Sequence, residues 1–455
     1  MSPPRGRWGC ALAALALASC AHAGGFSAGV ARQSITPDGP IRMSGYASRT
    51  KPSEGVAHDL WAKALALQDP EGGRVVIVTA DLIGLPREVC EAAAARLRDR
   101  HGLERSQIVF TASHTHYGPI VWPNLKSMYD LPAEERERVV EYGRRLVDVL
   151  VAVVDEALKD LSPAAISIGH GKAGFAVNRR QRTEKGYRLG VDPEGPVDHD
   201  VPVLRVASPD GRVRAVLFGY ACHNTTVSPN DYRICGDYAG FAQAELEKTL
   251  PGAAALFVML CGADQNPNPR GKMEQSVEYG QALAGEVRRV LDGPLVSVRP
   301  SIRTAYGEGT LEFAPQDRAV FEKEAASADR HRQRRGRAMM EAIDAGRPVR
   351  NTTCPVQVVR LGGTVAIVAM GGEVVVDYAL RLKRETPGTD LIAVSYANDV
   401  PCYIPSRRVL LEGGYEPVDS MVYYGWPGPF TEEVEETFLR TCRGLLERTA
   451  SAPAR

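Results

Sequence analysis

The chain carries no charge excess: across 455 residues, 55 Lys and Arg offset 55 Asp and Glu. A zero net charge gives no electrostatic footprint for nucleic acid or any other polyanion. Beyond the N-terminus no apolar run is long enough to span a bilayer. There is no C-x-x-C pair and no zinc-finger spacing, so neither a structural zinc module nor a dithiol redox centre is encoded. A Walker A sequence, internal repeats and low-complexity linkers are also missing. Gly25-Phe26-Ser27-Ala28-Gly29 matches G-x-S-x-G, but it lies near the start of the chain and not on a strand-to-helix elbow. The G-x-G-x-x-G run from Gly169 to Gly174 is followed by "FAVNRRQR", which is no amphipathic helix, so a dinucleotide site is excluded there.

What is present is a composition of 44% hydrophobic and 24% charged residues, that of a globular protein with a sizeable core. The first 23 residues read as an export signal: Arg5 and Arg7 precede the short apolar stretch "CALAALALASCAHA". Two cleavage sites compete. Leu17-Ala18-Ser19-Cys20 has the residue order of a lipobox, and Ala21-His22-Ala23 has that of an ordinary A-x-A site. Either one places the protein outside the cytoplasm, in the periplasm, anchored as a lipoprotein, or secreted. A lipid on Cys20 would hold it at a membrane surface without a span. Seven cysteines lie beyond this segment, an odd number that leaves at least one thiol unpaired within a monomer.

Apolar, β-branched runs such as "WAKALAL", "RVVIVTA", "QIVFTA", "VRAVLFGYACH" and "AALFVMLCGA" predict strands. They alternate with helical segments: "REVCEAAAARLRDRHG", closed by Gly102, the long stretch from Ala133, "YAGFAQAELEKTL" and "SVEYGQALAGEVRRVL". "VPVLRVAS" pairs with "VRAVLFGYACH" across the turn "PDGR". Asp317 to Ala345 reads as charged and helical, and its "RHRQRRGR" as a solvated helix face. "EVVVDYALRLKRE" predicts a helix, and "TEEVEETFLRTCRGLLERT" a closing one. The pattern implies a mixed α/β (α+β) architecture, one large domain over 26–450 with mixed sheets flanked by helices.

Polar groups stand where several of these strands run out. His114 and His116 follow "QIVFTA", His223 follows "VRAVLFGYAC", Asp264 and Asn266 follow "AALFVMLCGA", and Glu373 follows "GGTVAIVAM". Sites in such folds assemble at strand ends, where the loops converge. Cys222 and His223 are adjacent on a strand and face opposite ways, so they make a poor catalytic pair. Two histidines and a carboxylate form a common catalytic zinc set, with water in the open position. In "SHTH", residues two apart on an extended segment face one way. One could bind metal while the other handles protons or a developing oxyanion.

"TASHTHYGP" resembles the T/S-H-T-H-S-G-P segment of the neutral/alkaline (non-lysosomal) ceramidases. "SITPDGPIRMSGYASR", "AVNRRQR", "YACHNTTV", "DYAG", "GADQNPN", "GGEVVVD" and "YIPSRRVLLEGGYE" resemble further segments of that family, in family order, from about Gly29 to about Glu416. The resemblance implies a zinc amidase with one zinc per chain, held by His114, His223, Glu373 and Tyr403. It places His116, Arg179, Asn266 and Tyr415 around the reacting carbonyl of a lipid or small-molecule amide, which zinc-activated water would attack. Three departures mark a divergent branch. Asn266 replaces the family's serine, which excludes an acyl-enzyme at that position. Gly371-Gly372-Glu373 replaces Pro-Gly-Glu, and the chain stops soon after the closing helix, so the family's C-terminal immunoglobulin-like domain is expected to be absent. Two other readings stay open. One is an esterase or amidase acting on a cell-wall or glycan-linked substrate. The other is a non-catalytic lipid-binding lipoprotein with a structural metal.

Overall fold

The computed structural model describes residues 25–450. The segment read as an export signal, with its candidate lipobox at Cys20, lies outside them. The mixed architecture expected from the sequence is observed. Two large sheets form the centre. The nine-stranded sheet runs in the spatial order Ala254–Met259, Val213–Tyr220, Asp200–Ala207, Ser162–Lys172, Phe26–Ser34, Trp61–Gln68, Arg74–Ala80 and Ile108–Ala112, with Val296–Ser297 paired to Ser162–Lys172 off this path. The four-stranded sheet runs Ile302–Glu312, Asn351–Leu361, Val365–Met370 and Asp390–Val394. Leu65, Ile77, Val109 and Leu256 of the first sheet share one buried cluster with Val359, Ile367 and Ile392 of the second. The sheets therefore pack face to face, and helices cover their outer faces.

Each helix is placed by its apolar stripe. Ala133–Lys159 buries Val139, Leu146, Leu150 and Val154 in the cluster that contains Val76 and Val78 of the first sheet. Asp237–Thr249 and Met273–Leu291 bury Leu246, Leu283 and Val287 in the cluster of Val216, Phe218 and Phe257. Val434–Thr449 covers the second sheet, with Phe438 and Leu445 in the cluster of Val356 and Val358. Helix Arg87–His101 ends as expected at Gly102, whose φ of 62° is left-handed and costs glycine little.

Three local expectations are corrected. The predicted helix "EVVVDYALRLKRE" begins only at Val376. Glu373–Val374 is a short strand paired in parallel with Tyr403–Ile404, because the β-branched run from Val374 to Val376 favours extended backbone. The charged stretch after Asp317 is two helices, Arg318–Ala325 and Arg330–Asp344, the second capped by the Asp329 side chain on the His331 and Arg332 amides. Two of its basic residues turn inward, while Arg330 and Arg337 stay exposed. Arg334 donates to the carbonyls of Ser127 and Tyr129 at 2.8 and 3.0 Å, and Arg335 to Glu324 at 2.7 Å. The seven cysteines of the described residues are all buried, unpaired thiols.

Candidate metal centre

Parallel pairs bring the carboxyl ends of six strands together. Arg74–Ala80 pairs in parallel with Ile108–Ala112, Val213–Tyr220 with Ala254–Met259, and Val365–Met370 with Asp390–Val394. Isolated bridges join Thr115 to Asn224, Leu260 to Val394 and Thr111 to Ala397. The ends of both sheets thus meet at one place, and His114, His116, His223 and Glu373 emerge there.

His114 leaves its strand in the left-handed region, at φ 62°, which costs a non-glycine residue about 1–2 kcal/mol. Its amide bonds to the Leu82 carbonyl and its Nδ1 to the Ile83 carbonyl at 2.7 Å. Tyr396, also left-handed at φ 56°, stacks on the His114 ring at 4.2 Å. Two strained residues in contact are held by the packing around them and fix where the imidazole points. His223 is held in the same manner: its amide donates to Gln265 O, and its Nδ1 to Gly262 O at 3.0 Å. Gly262 permits this approach, since a Cβ there would lie 2.5 Å from the Ala221 carbonyl carbon. Glu373 and Tyr403 are directly paired residues of the short parallel ladder.

These backbone carbonyls can only accept, so Nδ1 of His114 and of His223 must carry the proton. Each Nε2 is then left with a lone pair. Both lone pairs face one carboxylate oxygen: Glu373 Oε2 lies 3.2 Å from His114 Nε2 and 3.4 Å from His223 Nε2. The Tyr403 hydroxyl is 3.4 Å from His223 Nε2. Burial, together with the charge of Arg179, pushes His223 down to about 3. Burial pushes the Glu373 carboxyl up, but the two imidazoles outweigh it and hold it well below the usual carboxylate range. With the proton on Nδ1, the Nε2 atom of each neutral-form imidazole offers a lone pair beside the carboxylate, so acceptor atoms converge. This donor set fits a cation, and its nitrogen and oxygen donors suit a divalent transition metal. His114, His116 and His223 also bring ligand nitrogens within 4.8 Å of one another.

His114 and His116, which are expected to play different roles, have Nε2 atoms 3.1 Å apart. They differ in how they are held. His116 Nδ1 is buried with no hydrogen-bond partner, so no carbonyl fixes its tautomer. Burial and the neighbouring histidines push its pKa well below the usual value. A Cβ at Gly45, where φ is 95°, would lie 2.4 Å from that nitrogen, so the His116 ring needs a glycine there. Arg179 donates to the Tyr403 hydroxyl at 3.1 Å, to Asn266 Oδ1 at 3.4 Å and to Glu416 at 2.8 Å. Thr225 Oγ1 also donates to Asn266 Oδ1, which leaves the Asn266 amide N–H2 without a partner among the described residues. The Tyr415 ring packs edge-on to Tyr403 at 5.6 Å, under the Arg179 guanidinium. Burial and Glu373 push the Tyr403 phenol up, while Arg179 pulls it down.

All eight residues expected from the sequence therefore lie in one connected cluster. The side chain of Asp264, also at a strand end, does not join it, although its carbonyl accepts from the Arg179 amide. Its Oδ1 accepts from the Val376 amide and its Oδ2 from Asn178, so it anchors a helix start. Several members escaped sequence reasoning. Tyr424 and Tyr396 donate to Glu373 Oε1 and Oε2 respectively, Tyr396 at 3.2 Å. Glu416, fully buried, binds Arg179 with one oxygen and Arg180 with the other. Arg49 donates to the His116 carbonyl and to Ser44 O, and stacks on Tyr46 and Tyr117 at 4.8 Å. "NRR" and "GGYE" signalled two of these by adjacency to named residues, but nothing in "MVYYGW" marks Tyr424.

Comparison with known proteins gives concordant relatives. The sequence model for "Neutral/alkaline non-lysosomal ceramidase, N-terminal" matches residues 26–282. The neutral ceramidase of Mycobacterium tuberculosis is 26% identical over 276 residues, covering 57% of this chain and 40% of the relative. That of Pseudomonas aeruginosa is 24% identical over 273 residues, covering 57% of this chain and 39% of the relative. The aligned part thus spans about two fifths of the length of these curated relatives. The crystal structure of the Pseudomonas aeruginosa enzyme superposes with a TM-score of 0.73 at 16% identity, over 95% of this chain and 76% of that one. A structure described as ceramidase complexed with C2 gives 0.72 over 95% and 77%.

Proposed function

The chain belongs to the neutral/alkaline non-lysosomal ceramidase family, and on that premise we propose that it is a zinc-dependent hydrolase of an N-acyl amide, ceramide or a related lipid amide. The observation that carries this reading is the convergence of His114 Nε2, His223 Nε2 and the Tyr403 hydroxyl on or beside Glu373, with both Nδ1 atoms tied to carbonyls. His114, His223, Glu373 and Tyr403 would hold the ion. Zinc bound there supplies Lewis acidity toward the amide carbonyl and lowers the pKa of water toward neutrality.

The chain's own groups supply the rest. His116, whose tautomer no carbonyl fixes, is free to accept a proton from water at one nitrogen and to return it to the leaving amine. The unpartnered Asn266 amide and the Tyr415 hydroxyl act as donors to the oxyanion that develops on the substrate. Arg179 orients Tyr403 and is itself fixed by Glu416. With asparagine at position 266, no side-chain nucleophile is required and attack falls to water. The N-terminal signal would deliver the enzyme outside the cytoplasm, and a lipid on Cys20 would keep it at a membrane.

The test is metal analysis of purified protein together with turnover of a fluorescent N-acyl sphingosine, short N-acyl amino acids and esters. About one zinc per chain, lost in His114→Ala and His223→Ala, is expected, with amides preferred over esters. A folded protein that takes up no metal would refute the reading. A zinc-loaded protein that turns over none of these substrates would favour a binding role.

A further inference from the structure

Seven large apolar side chains are exposed among the described residues, and four of them gather in one place. Leu189 and Val191 lie on the strand Gly186–Asp192, Leu411 on the helix Arg407–Glu412, and Val418 on the turn Tyr415–Asp419. Both the strand and the helix touch the turn. The junction is tight: a Cβ at Gly414 would sit 2.9 Å from the Tyr187 carbonyl oxygen. Arg180 lies over the Tyr187 ring at 5.3 Å and donates to Gly413 O at 2.8 Å. The four side chains are 47, 44, 57 and 40% exposed, so this built corner leaves its apolar groups in water. The corner is continuous with the site, because the turn that carries Val418 begins at Tyr415.

Charge adds a second observation. The hairpin stretch 182–188 holds Arg182, Lys185 and Arg188 against a single acid, Glu184, and all four side chains are exposed. None of the three cations forms an ion pair among the described residues, and Arg188 bonds only to Gln181, at 3.0 Å. Leucine and valine contribute little as anchors of protein–protein interfaces, where aromatic residues and arginine dominate. Scattered aliphatic side chains beside cations match the boundary between acyl chains and anionic headgroups.

We propose that this corner docks onto a lipid bilayer, with Leu189, Val191, Leu411 and Val418 entering the headgroup boundary and Arg182, Lys185 and Arg188 facing anionic headgroups. The docked corner sets Tyr415 and the cluster behind it close to the membrane, where a long-chain amide resides. That last consequence rests on the proposed lipid substrate, whereas the docking itself does not.

The test is flotation of the full chain carrying Cys20→Ser, so that no attached lipid contributes. Vesicles of phosphatidylcholine are compared with vesicles that also contain phosphatidylglycerol. Binding to both is expected, more strongly to the second. Leu189→Asp and Leu411→Asp should each weaken it about tenfold, as expected for one lost buried leucine. Replacing the three cations by Gln should remove the preference for phosphatidylglycerol, about fivefold per charge. Turnover of a short, water-soluble N-acyl amide should be unchanged in the leucine variants, which shows that they fold. A protein that does not float, or variants that float like the parent, would overturn the proposal. So would a concentration-dependent dimer abolished by Leu411→Asp in the absence of flotation, which would assign the face to a second copy. Vesicle binding lost in the variants of a protein that cleaves no amide would keep the docking surface and remove the lipid substrate.

Discussion

Replacing Tyr424 by phenylalanine tests whether the residues behind Glu373 set the metal affinity. The ring volume is kept and one hydroxyl is removed. That hydroxyl donates to Glu373 Oε1, the oxygen turned away from the histidines, while Oε2 faces His114 and His223. Tyr424 thereby selects which oxygen is offered to a cation. Glu373 is buried, so water does not replace the lost donor. Loss of a hydrogen bond to a buried charged group costs about 1.5–3 kcal/mol. Part of this falls on the metal-free protein, and the part that reflects carboxylate orientation should appear as metal affinity about 10–100-fold weaker. Competition with a chromophoric chelator measures the zinc dissociation constant directly, without reliance on turnover. Tyr396→Phe is the contrast, since its hydroxyl shares Oε2 with the histidines at 3.2 Å and competes with a cation for it. Its effect on affinity should be the smaller of the two. A folded Tyr424→Phe protein that binds zinc within twofold of the parent would refute the reasoning.

Asn266→Ala should lower kcat about a hundredfold while zinc stays bound, the usual cost of one oxyanion donor; complete loss of activity would give Asn266 a larger role, and no loss would remove it from the site. Arg180→Met leaves the buried Glu416 with Arg179 alone, and should destabilise the protein by about 3 kcal/mol in urea unfolding, as for a broken buried pair. Stability should also depend on pH through Asp264, whose carboxyl burial pushes up from 3.8 to about 7. A raised carboxyl contributes stability that is fully present below 3.8 and lost as pH rises through about 7, at up to about 1.4 kcal/mol per pH unit. Urea unfolding of the metal-free protein across that window should show the slope, and Asp264→Asn should flatten it; equal slopes in both would refute the assignment.

The strands and helices were legible because their signals are local. Period-two and continuous apolar runs mark the strands of both sheets, and Gly102 marks a helix end. Misreadings arose where tertiary pairing overrode the pattern. The stretch "EVVVDYALRLKRE" has helical residues at its end, but its first residues find a strand partner about thirty residues away, at Tyr403–Ile404. The basic run "RHRQRRGR" reads as solvated because sequence does not reveal which carbonyls lie opposite it. Ser127 and Tyr129 supply them about two hundred residues upstream.

For the candidate site, the sequence by itself determined the chemical inventory: two histidines in "SHTH", His223, Glu373 and the "YIPSRR" and "GGYE" segments, each at the end of a strand or in the loop after it. Residue type and distance from an apolar run carry that much. Only the tertiary structure decided which nitrogen of each histidine faces Glu373. That depends on the carbonyls of Ile83 and Gly262, whose positions follow from strand pairing and not from neighbouring residues. It likewise decided that Tyr424, in an apolar turn without any motif, stands behind the carboxylate. The donors were written locally, but their convergence came from two sheets ending at one place.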